Sequence, residues 1–219
     1  MPDDRAEPTL CSPFIDSLDV TGASMTVFDD AGRQSTVCTS DATASRLDEV
    51  QFELGEGPQW RALQSATAVL IPDATAASLS DYPAFAAALA DLPVRALFSL
   101  PMAIGAVTVG VVSLYRTTAG PLEGPGLELA RALTDRSSIR AVQLAIAAAA
   151  AEPSRHEPSP SPALRREVHQ ATGMILVQLD TSATEAFIRL RAHAFATGRS
   201  IQDVAHDVVT RVLDFGELP

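Results

Sequence analysis

The sequence predicts an α+β chain, an antiparallel sheet with helices on its faces followed by a small three-helix bundle. Three observations predict it. Short β-patterned segments begin and end the stretch 22–116, with helical segments inserted between them. A proline-rich stretch then interrupts the pattern, and the residues after it are patterned as helix throughout.

In order, Gly22–Phe28 and Gln34–Ser40 read as strands around a turn at Asp29–Gly32. Ser45–Leu54 and Pro58–Ser65 read as helices split by Gly55-Glu56-Gly57. Ala68–Ile71 is a short strand, and Tyr82–Leu92 is a helix with Asp81 as its expected N-cap. Residues 96–115 carry no charge, so a hydropathy window would favour a membrane span. Pro101, Gly105, Gly110 and the Val/Thr-rich second half instead indicate two buried strands, Arg95–Ile104 and Ala106–Arg116, joined at Gly105. A long helix from about Leu127 to Ala150 closes the segment.

Residues 151–162, AEPSRHEPSPSP, form the expected linker between a domain at 12–150 and one at 163–214. In the second domain Leu164, Val168, Ala171 and Ile175 repeat at helical spacing. Ser182-x-x-Glu185 is a capping box for a second helix, whose buried stripe holds Ala186, Phe187, Leu190 and Ala194. Gly198 stops it, and Ser200 starts a third, with Ile201, Val204, Ala205, Val208 and Val212 expected inside.

Composition narrows function. At 219 residues, 47% hydrophobic and 20% charged, the chain is globular, and its net charge of −11 disfavours a generic polyanion binder. Cys11 and Cys38 are too few for a disulfide framework or a closed zinc site, so the chain is read as reduced and cytoplasmic. Cys38 is expected as a small core residue. No phosphate-binding loop, zinc-peptidase motif, Cys-x-x-Cys or nucleophile elbow occurs. The sequence therefore gives no catalytic, cofactor or metal-ligating constellation, and a non-enzymatic role is expected.

The first segment resembles a GAF domain over roughly residues 12–150. The resemblance rests on Gly22-Ala23-x-Met25-x-Val27, Gln51-x-x-x-Gly55-Glu56-Gly57-Pro58, Ile71-Pro72-Asp73, Tyr82-Pro83-x-Phe85 and Ser99-Leu100-Pro101-Met102. It implies a six-stranded sheet and a small-molecule pocket, for which Met25, Cys38, Phe52, Trp60 and Leu97 are candidates, although plain core packing is the favoured account of such large apolar residues. Gln59 stands where many relatives carry Cys.

The second segment resembles an ANTAR domain. Ala171-x-Gly173-Met174-Ile175, Glu185-Ala186-Phe187-x-x-Leu190-Arg191-x-x-Ala194 and Arg199-x-Ile201-x-Asp203-Val204-Ala205 carry that resemblance. Together the two resemble the GAF–ANTAR transcription antitermination regulators of actinobacteria. The resemblance implies binding to paired hairpins in nascent RNA, a sensory domain in front, and a homodimer without membrane attachment.

Arg165, His169 and Thr172 at i, i+4 and i+7 make one polar stripe, with Arg166 beside it. Those four with Gly173 and Arg191 are the expected RNA-binding residues; Gly173 also reads as a close-approach position between helices. Thr172 and Gln178 replace residues that are commonly basic in the family. Between 163 and 211 six arginines meet five acidic residues, so RNA contact would rest on few charges. A DNA-binding regulator and a sensor acting by protein contact are the competing readings.

Overall fold

A computed structural model describes residues 9–29, 34–75, 77–150 and 160–217, without the side chains of 160–166, 183, 184 and 195. The chain divides into two compact units that part near residue 153.

The first unit runs α1 (Ser12–Ser17), β1 (Gly22–Phe28), β2 (Gln34–Thr39), α2 (Ala42–Leu54), α3 (Pro58–Ser65), β3 (Val69–Ile71), α4 (Pro83–Leu89), β4 (Ala96–Ile104), β5 (Val107–Arg116) and α5 (Gly124–Ala150). Among the described residues the sheet has five strands in the order β2-β1-β5-β4-β3, one fewer than the resemblance implied. All its pairings are antiparallel. The uncharged run at 96–115 is the β4–β5 hairpin, closed at Gly105 with φ +63°. Among the described residues no helix is long and apolar enough to cross a membrane.

That run is apolar because both faces of the central strands are covered. On one face Ala23, Met25, Phe98, Leu100, Met102, Val112 and Leu114 pack with Phe14 of α1 and Ala130 and Ala141 of α5. On the other, Leu97 and Tyr115 pack with Leu47 and Val50 of α2 and Phe85 and Leu89 of α4. Two glycines permit the central contacts. A Cβ on Gly22 would lie 2.2 Å from both Asp41 and Tyr115, and one on Gly110 would lie 2.3 Å from the Thr26 carbonyl.

Asp48, fully buried on α2, ties that helix to the sheet. It accepts hydrogen bonds from Thr26 (2.8 Å), Gln34 (3.1 Å) and Thr36 (2.5 Å). These donors offset the desolvation of a buried carboxylate.

The cysteines depart from expectation. Cys11, beside α1, and Cys38, on the edge strand β2, form a disulfide across 27 residues, so neither is a free core thiol. Their pairing needed two segments whose proximity only the folded sheet creates. The α1 helix itself was not anticipated, being too short for a periodic signal.

The second unit contains α6 (Pro160–Leu179), α7 (Ala183–Thr197), α8 (Ile201–Val209) and a 3-10 turn at Phe215–Glu217. Helix α6 takes in the last three residues of the expected linker. Its proline at the first helical position has no intrahelical N–H to lose. The core joins Val168, Ala171 and Ile175 to Ala186, Leu190 and Ala194 and to Ile201, Val204, Ala205 and Val208. Val212 is excluded from that stripe. Helix α8 ends at Val209, Arg211 turns left-handed with φ +61°, and Val212 is 75% exposed.

The cross-link yields a direct prediction. Closing a loop of this length should stabilise the first unit by roughly 3–4 kcal/mol. Cys38→Ser should therefore lower the urea midpoint in oxidising buffer, and a strong reductant should abolish the difference between variant and wild type.

Candidate functional site

The bundle's surface is set by how its helices start and end. Ser182 Oγ accepts the Glu185 N–H at 3.1 Å, and Ser200 Oγ accepts the Asp203 N–H at 3.0 Å, as N-caps. After α8 the chain folds back across α6. The Phe215 N–H donates to Gln178 Oε1 at 3.2 Å, and the buried Phe215 ring meets His193 edge-on at 5.3 Å. This return of 210–217 carries no periodicity, so sequence reading stopped the domain at 214.

The expected RNA-binding residues do not form one stripe. The side chains of Arg165 and Arg166 lie outside the described residues. His169 is half-buried, and Arg191 is half-buried on α7. Thr172 is buried, and its hydroxyl donates to the Val168 carbonyl at 2.7 Å. The reason is angular. Position 172 lies four residues after 168 and three before 175, so it sits within the buried arc rather than beside it. The exposed arc of α6 is instead Gln170, Gly173 and Val177.

Gly173 has nothing within 4 Å of where a Cβ would stand, so it mediates no close helix approach. It faces a groove of about 490 Å³ between α6 and the segment 211–214. Three ion pairs engage other charges on the bundle. Arg189 pairs with Glu185 at 3.2 Å, Arg199 with Asp207 at 2.6 Å, and His206 with Glu167 at 3.3 Å. Arg211 forms no ion pair among the described residues.

In the first unit, the motif Gly55-Glu56-Gly57-Pro58 has a structural explanation. Gly57 adopts φ +131°, which side chains rarely tolerate, and Pro58 starts α3. Glu56 Oε1 accepts the Phe85 N–H at 3.0 Å and caps α4 from a distance. Asp81, the expected cap, pairs with Arg61 at 3.4 Å instead.

Ser24, Gln51, Leu97, Ser99, Ser113 and Tyr115 surround a space of about 10 Å³ on the α2–α4 face, room for about one water. Of the pocket candidates Leu97 borders this space. Met25 points into the opposite core, with α1 and α5, and Cys38 is cross-linked to Cys11. Phe52 is buried. Trp60 donates Nε1–H to the Gln51 carbonyl at 2.6 Å and packs edge-on against Phe28. Gln59, fully buried, receives the Ser113 hydroxyl at 3.4 Å, and its own N–H donates to Gln51 Oε1 at 2.9 Å. Among the described residues no group of three His, Cys, Asp or Glu could hold a metal ion.

Comparison with known proteins gives a family for residues 162–209 and a fold for the first unit. Residues 162–209 match the family model of the ANTAR domain. The chain carries an ANTAR domain behind a domain of GAF fold. The fold is shared with the GAF domain region of a Geobacter sulfurreducens PCA protein, at 17% identity and TM-score 0.50, covering 62% of this chain and 89% of that one. It is also shared with a domain from Sinorhizobium meliloti 1021, whose parent is described as a two-component sensor histidine kinase. There the identity is 12% and the TM-score 0.50, over 64% of this chain and 90% of that chain. No curated protein matches the chain. A GAF fold followed by an ANTAR domain is the architecture of a regulator, the ANTAR family being one of RNA-binding antitermination regulators.

The GAF-fold core makes an alkaline prediction. Burial, first of all, raises the pKa of both tyrosines, Tyr82 and Tyr115, and the Tyr115 hydroxyl donates to Asp41 at 3.0 Å. The folded state then holds protons that the unfolded state releases above about pH 10. Stability should be level below that pH and fall above it. In a spectrophotometric titration the tyrosinate band should emerge only above about pH 10, and Tyr115→Phe should lessen the alkaline loss of stability.

Proposed function

We propose that this chain is a transcription antitermination regulator whose ANTAR domain binds hairpin loops in nascent RNA, under control of the GAF-fold domain. The observation that carries this reading is the ANTAR match over 162–209. The near balance of charge over 163–211, in a chain of net charge −11, fits recognition of unpaired bases rather than of a duplex backbone. A recognition helix for DNA is disfavoured because α8 exposes Asp203 and His206 and holds Asp207 in an ion pair.

On this reading Arg165, Arg166, Gly173 and Arg191 contact RNA, while Thr172 supports the helix. The input to the GAF-fold domain is a partner contact or a ligand that opens the core, since its interior space admits little more than a water. The protein acts through binding and carries out no reaction.

The reading includes a homodimer through α5. Leu129, Ala132, Arg136, Ile139, Gln143 and Ile146 recur at alternating spacings of three and four, and all six are exposed. Leu129, Ile139 and Ile146 are 39%, 59% and 64% exposed, large apolar groups that a second copy would cover. A parallel pairing also sets Asp135 of one copy against Arg140 of the other, a complementary charge pair. Both copies of the bundle would then be tethered at the same end, which suits two hairpins bound together.

The test is titration of the full chain into a labelled paired-hairpin leader RNA, with loop-scrambled RNA and duplex DNA as competitors. Binding should require the loops, and Arg165→Ala with Arg191→Ala should weaken it at least tenfold without unfolding the bundle; binding to DNA alone would replace this reading with a DNA regulator. Sedimentation tests the dimer separately. Ile139→Glu with Ile146→Glu should give a folded monomer with weaker avidity for the paired hairpins.

A further inference from the structure

The groove beside Gly173 is built in a way that the bundle's own folding does not require. A glycine in the interior of a helix is destabilising relative to alanine, through its backbone entropy. Gly173 occupies such a position in α6, does not have a left-handed backbone, and has open space where its side chain would stand. Neither packing nor backbone geometry within the chain calls for glycine there. What the missing side chain preserves is the groove.

The walls define an occupant. Met174, Val177 and Leu213 line the groove, Val177 is 76% exposed, and the equally exposed Val212 lies next to Leu213 in the chain. Gln170 and Gln178 add amides, and the Phe215 N–H holds the Gln178 carboxamide by its oxygen. Arg211 supplies a cation without an ion-pair partner among the described residues. Asp214 also borders the groove, with its Oδ1 accepting the Gly216 N–H at 2.8 Å. A fitting occupant has an apolar face, a hydrogen-bonding edge and a negative charge attached. That describes an unstacked nucleobase with its phosphate. A helix from a second copy would cover the valines but would leave the amides and Arg211 without matching chemistry.

We propose that this groove seats one unpaired base of an RNA loop over Gly173. The base lies against Met174, Val177 and Leu213, with its edge toward Gln170 and Gln178 and its phosphate toward Arg211. The proposal rests on the RNA-binding reading and adds to it a subsite that excludes duplex, whose bases are already stacked.

Gly173→Leu in the full chain is the test, because leucine suits a helix, its Cβ would meet no protein atom within 4 Å, and its side chain would occupy the groove. The thermal midpoint should hold or rise, while affinity for a paired-hairpin RNA falls about tenfold or more. Gly173→Ala should fall between. Replacing loop nucleotides one at a time with abasic residues should reveal a position that weakens wild type but leaves Gly173→Leu unaffected. Equal affinity of wild type and Gly173→Leu overturns the subsite and leaves RNA binding standing. Wild type that binds no hairpin overturns both. A changed sedimentation coefficient with unchanged RNA affinity overturns the base seat in favour of a protein contact.

Discussion

Burial of both faces of the β1-β5-β4 centre is the constraint on which the GAF-fold domain depends. An antiparallel sheet covered on one side would alternate buried and exposed positions, and these strands are instead buried at successive positions along their middles. The chain therefore supplies two helical layers, α1 and α5 on one side and α2 to α4 on the other. Gly22 and Gly110 admit the closest approaches, Asp48 anchors α2, and Glu56 anchors α4. The same constraint fills the interior where a ligand pocket was expected, leaving space for about one water.

The helical domain is organised differently. Its core is a narrow apolar seam, and its three helices carry their own start signals. Its one costly feature is Gly173, exposed at the centre of α6. In the GAF-fold domain a glycine is needed where atoms crowd, as at Gly22; in the ANTAR domain a glycine keeps space open. On the proposed base seat, that contrast separates a residue kept for folding from one kept for recognition.

Long periodic elements were legible in the sequence because period and punctuation agree there. The β4–β5 hairpin, α3 and the three helices of the bundle are marked by an uncharged run broken at Gly105 and by Pro58, Ser182, Gly198 and Ser200. What escaped depends on distance. The Cys11–Cys38 bond, the Glu56 cap on Phe85 and the seat of Phe215 each join segments far apart in sequence. Faces within an element were a second source of error. Met25 went to the opposite core, Thr172 turned inward by one arc of the helix, and Val212 fell past the end of α8. The exposed stripe on α5 was visible only once its buried face was known.

On the proposed function an acidic chain recognises RNA loops through a few contacts rather than through general attraction to phosphate. The salt dependence of affinity for a paired-hairpin RNA is the decisive measurement. The slope of log affinity against log salt should be shallow, on the order of −1 to −3 for about two to four phosphate contacts, and binding should vanish with the loops scrambled. A steep slope that persists with scrambled loops would contradict it.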